Sequence, residues 1–274
     1  MTTAVDLDAY LARVGETELA SSLRPDAAHL FRLHRAHVDT FPYETVTRVV
    51  GERSGRAVPE LVATMLGARR GGEAPERTAL FVAVLEQVGY TVTTWPARVP
   101  EVPDPWVPED HAVLRVRTSE ADLLVDVGHG AGPRQPLRLE PGGWQEQDGW
   151  TFRIAEHGGR WQVVERWAGD EQVLYDLDPA AATTSARTSA GAEVPGGLVV
   201  TQRTAKELRR LVGRDYARVH ANGTSTQVHN IDDDLLCEIL DEEFGIGLGA
   251  EQLDRLLARI DSAEPAQPST ASTG

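Results

Sequence analysis

The chain contains one cysteine, Cys237, and one lysine, Lys206. A lone thiol excludes an internal disulfide, a cysteine-ligated zinc site and a dithiol redox pair. No Walker A segment, Rossmann glycine fingerprint or HExxH motif occurs, which removes the common nucleotide-binding and zinc-protease readings. No apolar run is long enough to span a bilayer, and the start, MTTAVDLDAY, has neither the basic flank nor the apolar stretch of a signal peptide. A cytoplasmic protein with no membrane partner is expected. The formal net charge is -15, and a nucleic-acid binder would need a basic face. The cations are almost all arginine, a bias that a GC-rich bacterial genome explains. At 274 residues, 41% of them hydrophobic, the chain is long enough to bury a full core.

Hydrophobic periodicity divides the chain. Up to about residue 90 it is helical. LDAYLARVG (7–15) is a short amphipathic helix, and a second begins near Pro25 and Asp26 and carries Leu30, Leu33, His34 and His37. VPELVATMLG (58–67) is a third. A fourth opens at Pro75, which suits the first helical position because its missing N–H is unneeded there. From residue 91 the period becomes two: TVTTWPARV, HAVLRVRT, ADLLVDVG, QVLYDLD and a hairpin around His157-Gly158-Gly159-Arg160 read as strands. A loop rich in Pro and acid (100–110), an Ala/Thr/Ser connection (180–191) and a disordered tail (262–274) complete the pattern. After GGLVVTQRT the chain is expected to finish with two helices, the first led by the acidic run IDDD (231–234), a helix start rather than a metal site.

Chemistry is expected in two places. His111 opens one strand and Asp126 ends the next, so the pair meets if the strands are neighbours; an Asp that accepts from a His ring fixes its tautomer and raises the basicity of the other nitrogen. The turn Arg70-Gly71-Gly72 runs directly into a helix start, where a nucleophile would be well placed, yet Ala74 stands there. Cys237 is no substitute, since it lies among Leu235, Leu236 and Ile239. His29, His34 and His37 lack a carboxylate partner in sequence and read as packing or surface residues. No metal site is expected.

These segments, in this order, resemble the arylamine N-acetyltransferase family along nearly the whole chain. The family's PFEN appears as Pro42-Tyr43-Glu44-Thr45, and its Arg-Gly-Gly-aromatic-Cys-x-Glu-x-Asn as residues 70–78. Its strand-opening histidine is matched by His111, its VDVGFG by Val125–Gly130, and its C-terminal helix by EILDEEFGIGL. The resemblance implies an α+β fold with an N-terminal helical bundle (1–90), a central antiparallel β-barrel (91–190) and a C-terminal α/β lid (191–261), built on a cysteine-protease-like core. It also implies a Cys-His-Asp triad in which a thiolate takes an acetyl group from acetyl-CoA and passes it to an arylamine. Here the histidine and aspartate positions are kept and the cysteine position is Ala74. Glu73, Pro75 and Thr78 depart from the family pattern too, which reads as divergence rather than a single engineered change.

Two functions follow as expectations. In the first, a specialised-metabolism enzyme works without a cysteine: His111, oriented by Asp126, is the base and Glu73 or His129 the acid. Arg70, Ala74, Thr78 and His129 would line the substrate site and Gly128 and Gly130 a cofactor turn. The donor would be a CoA thioester or a carrier-protein-bound acyl chain, and the step a transfer, hydrolysis or ring closure. In the second, the chain binds a small molecule or acyl thioester without turnover. For Glu73 the alternative is a solvated acid at a helix N-terminus, and for Arg70 a structural ion pair with Glu44. Oligomeric state is left open.

Overall fold

The computed structural model describes residues 4–52, 55, 57–100, 110–183 and 197–262. The loop at 101–109, most of the Ala/Thr/Ser connection and the tail beyond Ser262 lie outside the described residues. No helix among the described residues is long and apolar enough to cross a membrane.

The N-terminal helices are α1 (Leu7–Arg13), α2 (Ala27–Thr40), α3 (Val46–Val49), α4 (Val58–Leu61, continued by a wider turn, Val62–Gly67) and α5 (Ala74–Val88). Asp26 caps α2 by accepting from the His29 N–H at 2.9 Å, which relieves one of the four orphan donors of a helix start. Gly89, at φ 104°, ends α5 by donating to Leu85 and Glu86 carbonyls, a left-handed position that glycine adopts without a Cβ clash. Leu80, Phe81, Val84 and Leu85 of α5 are fully buried against Leu30 and Leu33 of α2 in the first of three cores.

Strand β1 (Tyr43–Glu44) precedes α3. After α5 come β2 (Thr91–Arg98), β3 (Asp110–Arg117), β4 (Asp122–Val125), β5 (Leu137–Arg138), β6 (Gln145–Gln147), β7 (Trp150–His157), β8 (Arg160–Trp167) and β9 (Asp170–Leu177). They form one antiparallel sheet in the order β5-β4-β3-β2-β9-β8-β7-β6. Gln145 exchanges hydrogen bonds with the Arg138 backbone at 2.7 and 3.0 Å, so the two edge strands meet and the sheet nearly closes into a barrel. Its interior, the second core, is filled by Trp95, Val113, Leu124, Trp150, Phe152, Ile154 and Tyr175. The other faces of β3 and β4 carry Leu114, Val116, Leu123 and Val125 into the helical core, the alternation that a period of two demands.

A second sheet joins β1 to β10 (Val199–Arg203), β11 (Glu207–Val212), β12 (Asp215–His220) and β13 (Ser225–Val228). It packs with α6 (Asp233–Glu238, continued by a wide turn, Ile239–Glu243) and α7 (Ala250–Ser262) in the third core. The three strands β11–β13 lie between GGLVVTQRT and the final helices, a stretch whose sequence shows no clear period.

Two buried polar arrangements hold the helical part. Arg70, 3% exposed, donates from Nε and Nη2 to Glu44 Oε1 at 3.1 and 2.9 Å and from Nη2 to Thr47 at 2.9 Å. The second Glu44 oxygen accepts from the Val46 N–H at 2.5 Å. Inside the bundle, His34 Nδ1 lies 3.0 Å from the Arg134 carbonyl oxygen and His37 Nδ1 3.0 Å from the Tyr10 hydroxyl, both rings fully buried. Burial pushes His34 down to about 4 against the raising effect of its Arg134 contact, and burial together with the positive charge of Arg77 pushes His37 well below the usual histidine range. Both are neutral at neutral pH.

Removing one partner of a buried ion pair leaves an uncompensated charge at a cost of about 3–5 kcal/mol. Arg70→Met is therefore expected to lower unfolding free energy by about that much, and Arg70→Met/Glu44→Gln to recover part of it, as read by urea titration. The buried histidines set a pH dependence. The unfolded chain takes up their protons near pH 6.5, whereas folded His34 does so only near 4 and folded His37 well below its ordinary range, so stability falls as pH drops below about 6.5, by roughly 1.4 kcal/mol per pH unit for each group. Urea unfolding at pH 7 and pH 5 is expected to show this loss, and His34→Gln to reduce its slope by one group's share.

Candidate functional site

Strand register builds the centre of the site. β3 and β4 are antiparallel, with Leu114 opposite Val125, so the start of β3 lies beside the end of β4 and His111 meets Asp126. His111 Nε2 is 3.0 Å from Asp126 Oδ1, and both side chains are buried. A carboxylate only accepts, so Nε2 carries the proton and Nδ1 keeps the lone pair. The same Oδ1 accepts from the Gly128 and His129 N–H groups at 3.0 Å each. Burial by itself raises the Asp126 carboxyl, but its interaction and hydrogen bond with His111, with the nearby His129, hold it well below the usual carboxylate range.

Around this pair the rings of His129 and Tyr175 close one side. The His111 and His129 centroids are 5.6 Å apart and tilted by 73°, and Tyr175 lies 5.2 Å from His111 and 6.0 Å from His129. His129 Nδ1 accepts from the Ala131 N–H at 3.2 Å, so its proton sits on Nε2. Burial pushes its pKa down to about 4, against the raising effect of the Asp126 charge. The phenol of Tyr175 lies beside the Asp126 carboxylate, and burial followed by that negative charge raises it well above its ordinary value.

Helix α5 supplies the opposite wall. A Cβ placed on Gly128 would come within 2.9 Å of Thr78 Oγ1, 3.1 Å of His111 Cε1 and 3.3 Å of the Ala74 carbonyl oxygen, so the helix start and the His-Asp pair face one another across Gly128. Ala74 is the first residue of that helix and presents only a methyl. Arg77, 2% exposed, donates from Nη1 to the Gly128 carbonyl at 3.0 Å. Burial lowers its pKa to about 10, opposed by the charge of Asp126, and it stays cationic beneath the carboxylate.

His111, Asp126, His129, Thr78, Ala74 and Gly128 thus come together. Glu73 does not point to His111. Its Oε1 accepts from Arg48 Nε at 3.0 Å, because α3 passes the helix start and offers a guanidinium. Arg70 is taken up by Glu44 and Thr47, in the ion pair with Glu44 that was the alternative for it. Gly128 and Gly130 are glycine because protein packs on protein: a Cβ on Gly130 would meet Tyr43 Cβ at 2.7 Å and the Thr201 carbonyl oxygen at 2.9 Å. Cys237 is half-buried on α6, and burial with the nearby Asp233 and Asp234 raises its thiol. Among the described residues, no group of three His, Cys, Asp or Glu side chains is placed to hold a metal ion.

Three contributors escaped the sequence reading. Tyr175 and Arg77 carried a usable signal, a polar residue amid apolar ones on a strand and on a helix. Arg203 on β10 carried none: it pairs with Glu165 at 2.8 Å with both side chains 3% exposed, bonds the Ala131 carbonyl at 2.6 Å and covers the Trp150 ring at 3.9 Å. It pins the turn after Asp126 to the second sheet.

Comparison with known proteins agrees with this architecture. The family described as N-acetyltransferase matches residues 26–253. The arylamine N-acetyltransferase of Mycolicibacterium smegmatis is 31% identical over 266 residues, covering 90% of this chain and 94% of that protein. Its counterpart in Mycobacterium tuberculosis is 30% identical over 286 residues, covering 95% and 99%. Among solved structures, the Mycobacterium abscessus arylamine N-acetyltransferase superposes with a TM-score of 0.81 at 25% identity, covering 94% of this chain and 96% of that one. The Mycobacterium marinum enzyme in complex with CoA does so with a TM-score of 0.78 at 25% identity, covering 93% and 98%. On sequence and fold together, this chain belongs to the arylamine N-acetyltransferase family.

Proposed function

We propose that this chain is a specialised-metabolism acyltransferase that moves an acyl group from a thioester, of the CoA type or carried by a carrier protein, directly to an amine, without a covalent acyl-enzyme. The observation that carries the reading is the buried His111–Asp126 pair at 3.0 Å facing the start of α5. A general base held in one tautomer by an ionised carboxylate retains its use when the nucleophile comes from the substrate. The M. marinum relative was solved with CoA, which supports a CoA thioester as donor. The cluster of departures from Glu73 to Thr78 supports a substrate other than simple arylamines.

In this scheme the amine nitrogen attacks the thioester carbonyl. The C–N bond forms, the C–S bond breaks, and the amine proton passes to His111 Nδ1 and from there to the departing sulfur. Neither Glu73 nor His129 is given the acid role in this scheme: Glu73 holds Arg48, and His129, with its pKa pushed down to about 4, is a neutral imidazole at neutral pH. The imidazolium of His111 supplies the proton instead. Ala74 removes the acyl acceptor of the two-step family reaction, so the kinetics should be sequential rather than ping-pong.

The test is thiol release from acetyl- and longer acyl-CoA, with and without amines, for the wild type, His111→Ala and Ala74→Cys. Amine-dependent release by the wild type should drop by roughly 10²–10⁴-fold in His111→Ala, the usual contribution of a general base, with no acyl adduct visible by mass spectrometry. Silence of the wild type across the panel, with turnover gained by Ala74→Cys, would overturn the proposal and favour a binding protein with an intact but disarmed acyl site.

A further inference from the structure

A cavity of about 530 Å³ that shares no lining residue with the His111–Asp126 site opens between the ends of α1 and α2, the β10–β11 turn and the end of the wide turn after α6. Its volume is that of a small-molecule pocket. Its charge is out of character for the chain. The protein as a whole carries a formal charge of -15 and a single lysine, yet this wall gathers Lys206 with Arg13, Arg69, Arg134 and Arg209 against only two acids, Asp39 and Glu243.

Those two acids are already engaged. Asp39 is bound by Arg134 through Nε and Nη2 at 2.6 Å each, and Arg134 also holds Asp148. Glu243 is bound by Arg209 at 3.1 Å and also by Arg218, and Arg209 pairs in addition with Glu207 at 2.8 Å. Arg69 reaches only an exposed contact with Asp241 at 3.6 Å. Arg13 bonds a backbone carbonyl, that of Met65, at 3.4 Å and lies over the Phe41 ring. Neither Arg13 nor Lys206 has a carboxylate partner among the described residues. Burial lowers the Arg13 guanidinium, and the positive charge of Arg69 lowers it further. Arg69 is presented from a left-handed backbone, φ 50°, a conformation uncommon for a side chain other than glycine.

We propose that this cavity is a binding site for a small polyanion, an organic phosphate or diphosphate, separate from the acyl-transfer site. Guanidinium forks bind phosphate oxygens two at a time, and an ammonium adds a mobile point charge. On so acidic a protein a local cationic cleft also concentrates an anion that the rest of the surface repels. The assignment does not depend on the chemistry proposed for His111.

Titration calorimetry with sodium pyrophosphate tests it. The wild type should bind one equivalent, and Arg69→Gln/Lys206→Gln, which alters two exposed side chains, should weaken binding at least tenfold. Arg138→Gln/Arg160→Gln, an equal change of charge at exposed positions outside the cavity, should leave the affinity within twofold, as should His111→Ala. Absence of binding to the wild type at millimolar pyrophosphate, or equal weakening in both double variants, would overturn the proposal. Competition then identifies the source of the phosphate: displacement of pyrophosphate by adenosine 3′,5′-diphosphate assigns the site to the nucleotide end of CoA, and displacement by simple sugar phosphates alone assigns it to another phosphate ester.

Discussion

The Asp126 carboxylate is buried and ionised, and the structure around it is arranged to make that tolerable. A buried charge costs several kcal/mol unless donors and opposite charge surround it. Here one oxygen collects three N–H groups, from His111, Gly128 and His129, and the Arg77 guanidinium lies behind on the Gly128 carbonyl. These groups come from three different parts of the fold. His111 requires β3 beside β4, the two N–H groups require the tight turn after β4, and Arg77 requires α5 against that turn. Disturbing any of them exposes the same unpaid charge, so the carboxylate ties helix, barrel and loop to one geometry.

The turn after Asp126 also connects the barrel to the second sheet. The Arg203 N–H donates to the Gly130 carbonyl at 3.1 Å, its guanidinium holds Ala131, and Tyr43 of β1 packs where a Cβ on Gly130 would stand. β1 in turn pairs with β10, Tyr43 opposite Thr201. The N-terminal part of the chain therefore contributes a strand to the C-terminal sheet, and Glu44 on that strand anchors Arg70 just before α5. The start of α5 is held from both sides, which keeps Ala74 and Thr78 facing His111.

Much of this was legible in the sequence. Long apolar stripes marked α2 and α5, alternation marked β2, β3, β4 and the β7–β8 hairpin, and the order of short motifs marked the family. The strands β11–β13 were not legible, because their residues, Glu207, Arg209, Arg210, Arg218 and their neighbours, present a polar face on most positions and blur the period of two. Their turns carried the signal that could have found them: Gly213, at φ 56°, and Gly223, at φ 88°, following Asn222, are hairpin punctuation. The helix at 58–67 was placed correctly in extent but changes to a wider turn after Leu61, a choice between hydrogen-bond partners that side-chain periodicity does not register.

The sequence by itself determined that residue 74 has no thiol, that the lone Cys237 sits in an apolar stretch near the C-terminal end, and that a histidine opens one strand and an aspartate ends the next. These are matters of residue identity and local period. Tertiary structure decided which charges meet. Glu73 faced His111 or solvent equally well on paper; α3 brought Arg48 to it. Arg70 fitted a pocket or an ion pair; β1 brought Glu44. His34 and His37 were neutral packing groups only once α5 had closed over them, and the cationic cavity exists only where the ends of four separate elements converge. Charge pairing depends on distances of a few ångströms between segments far apart in sequence, and only the folded chain sets those distances.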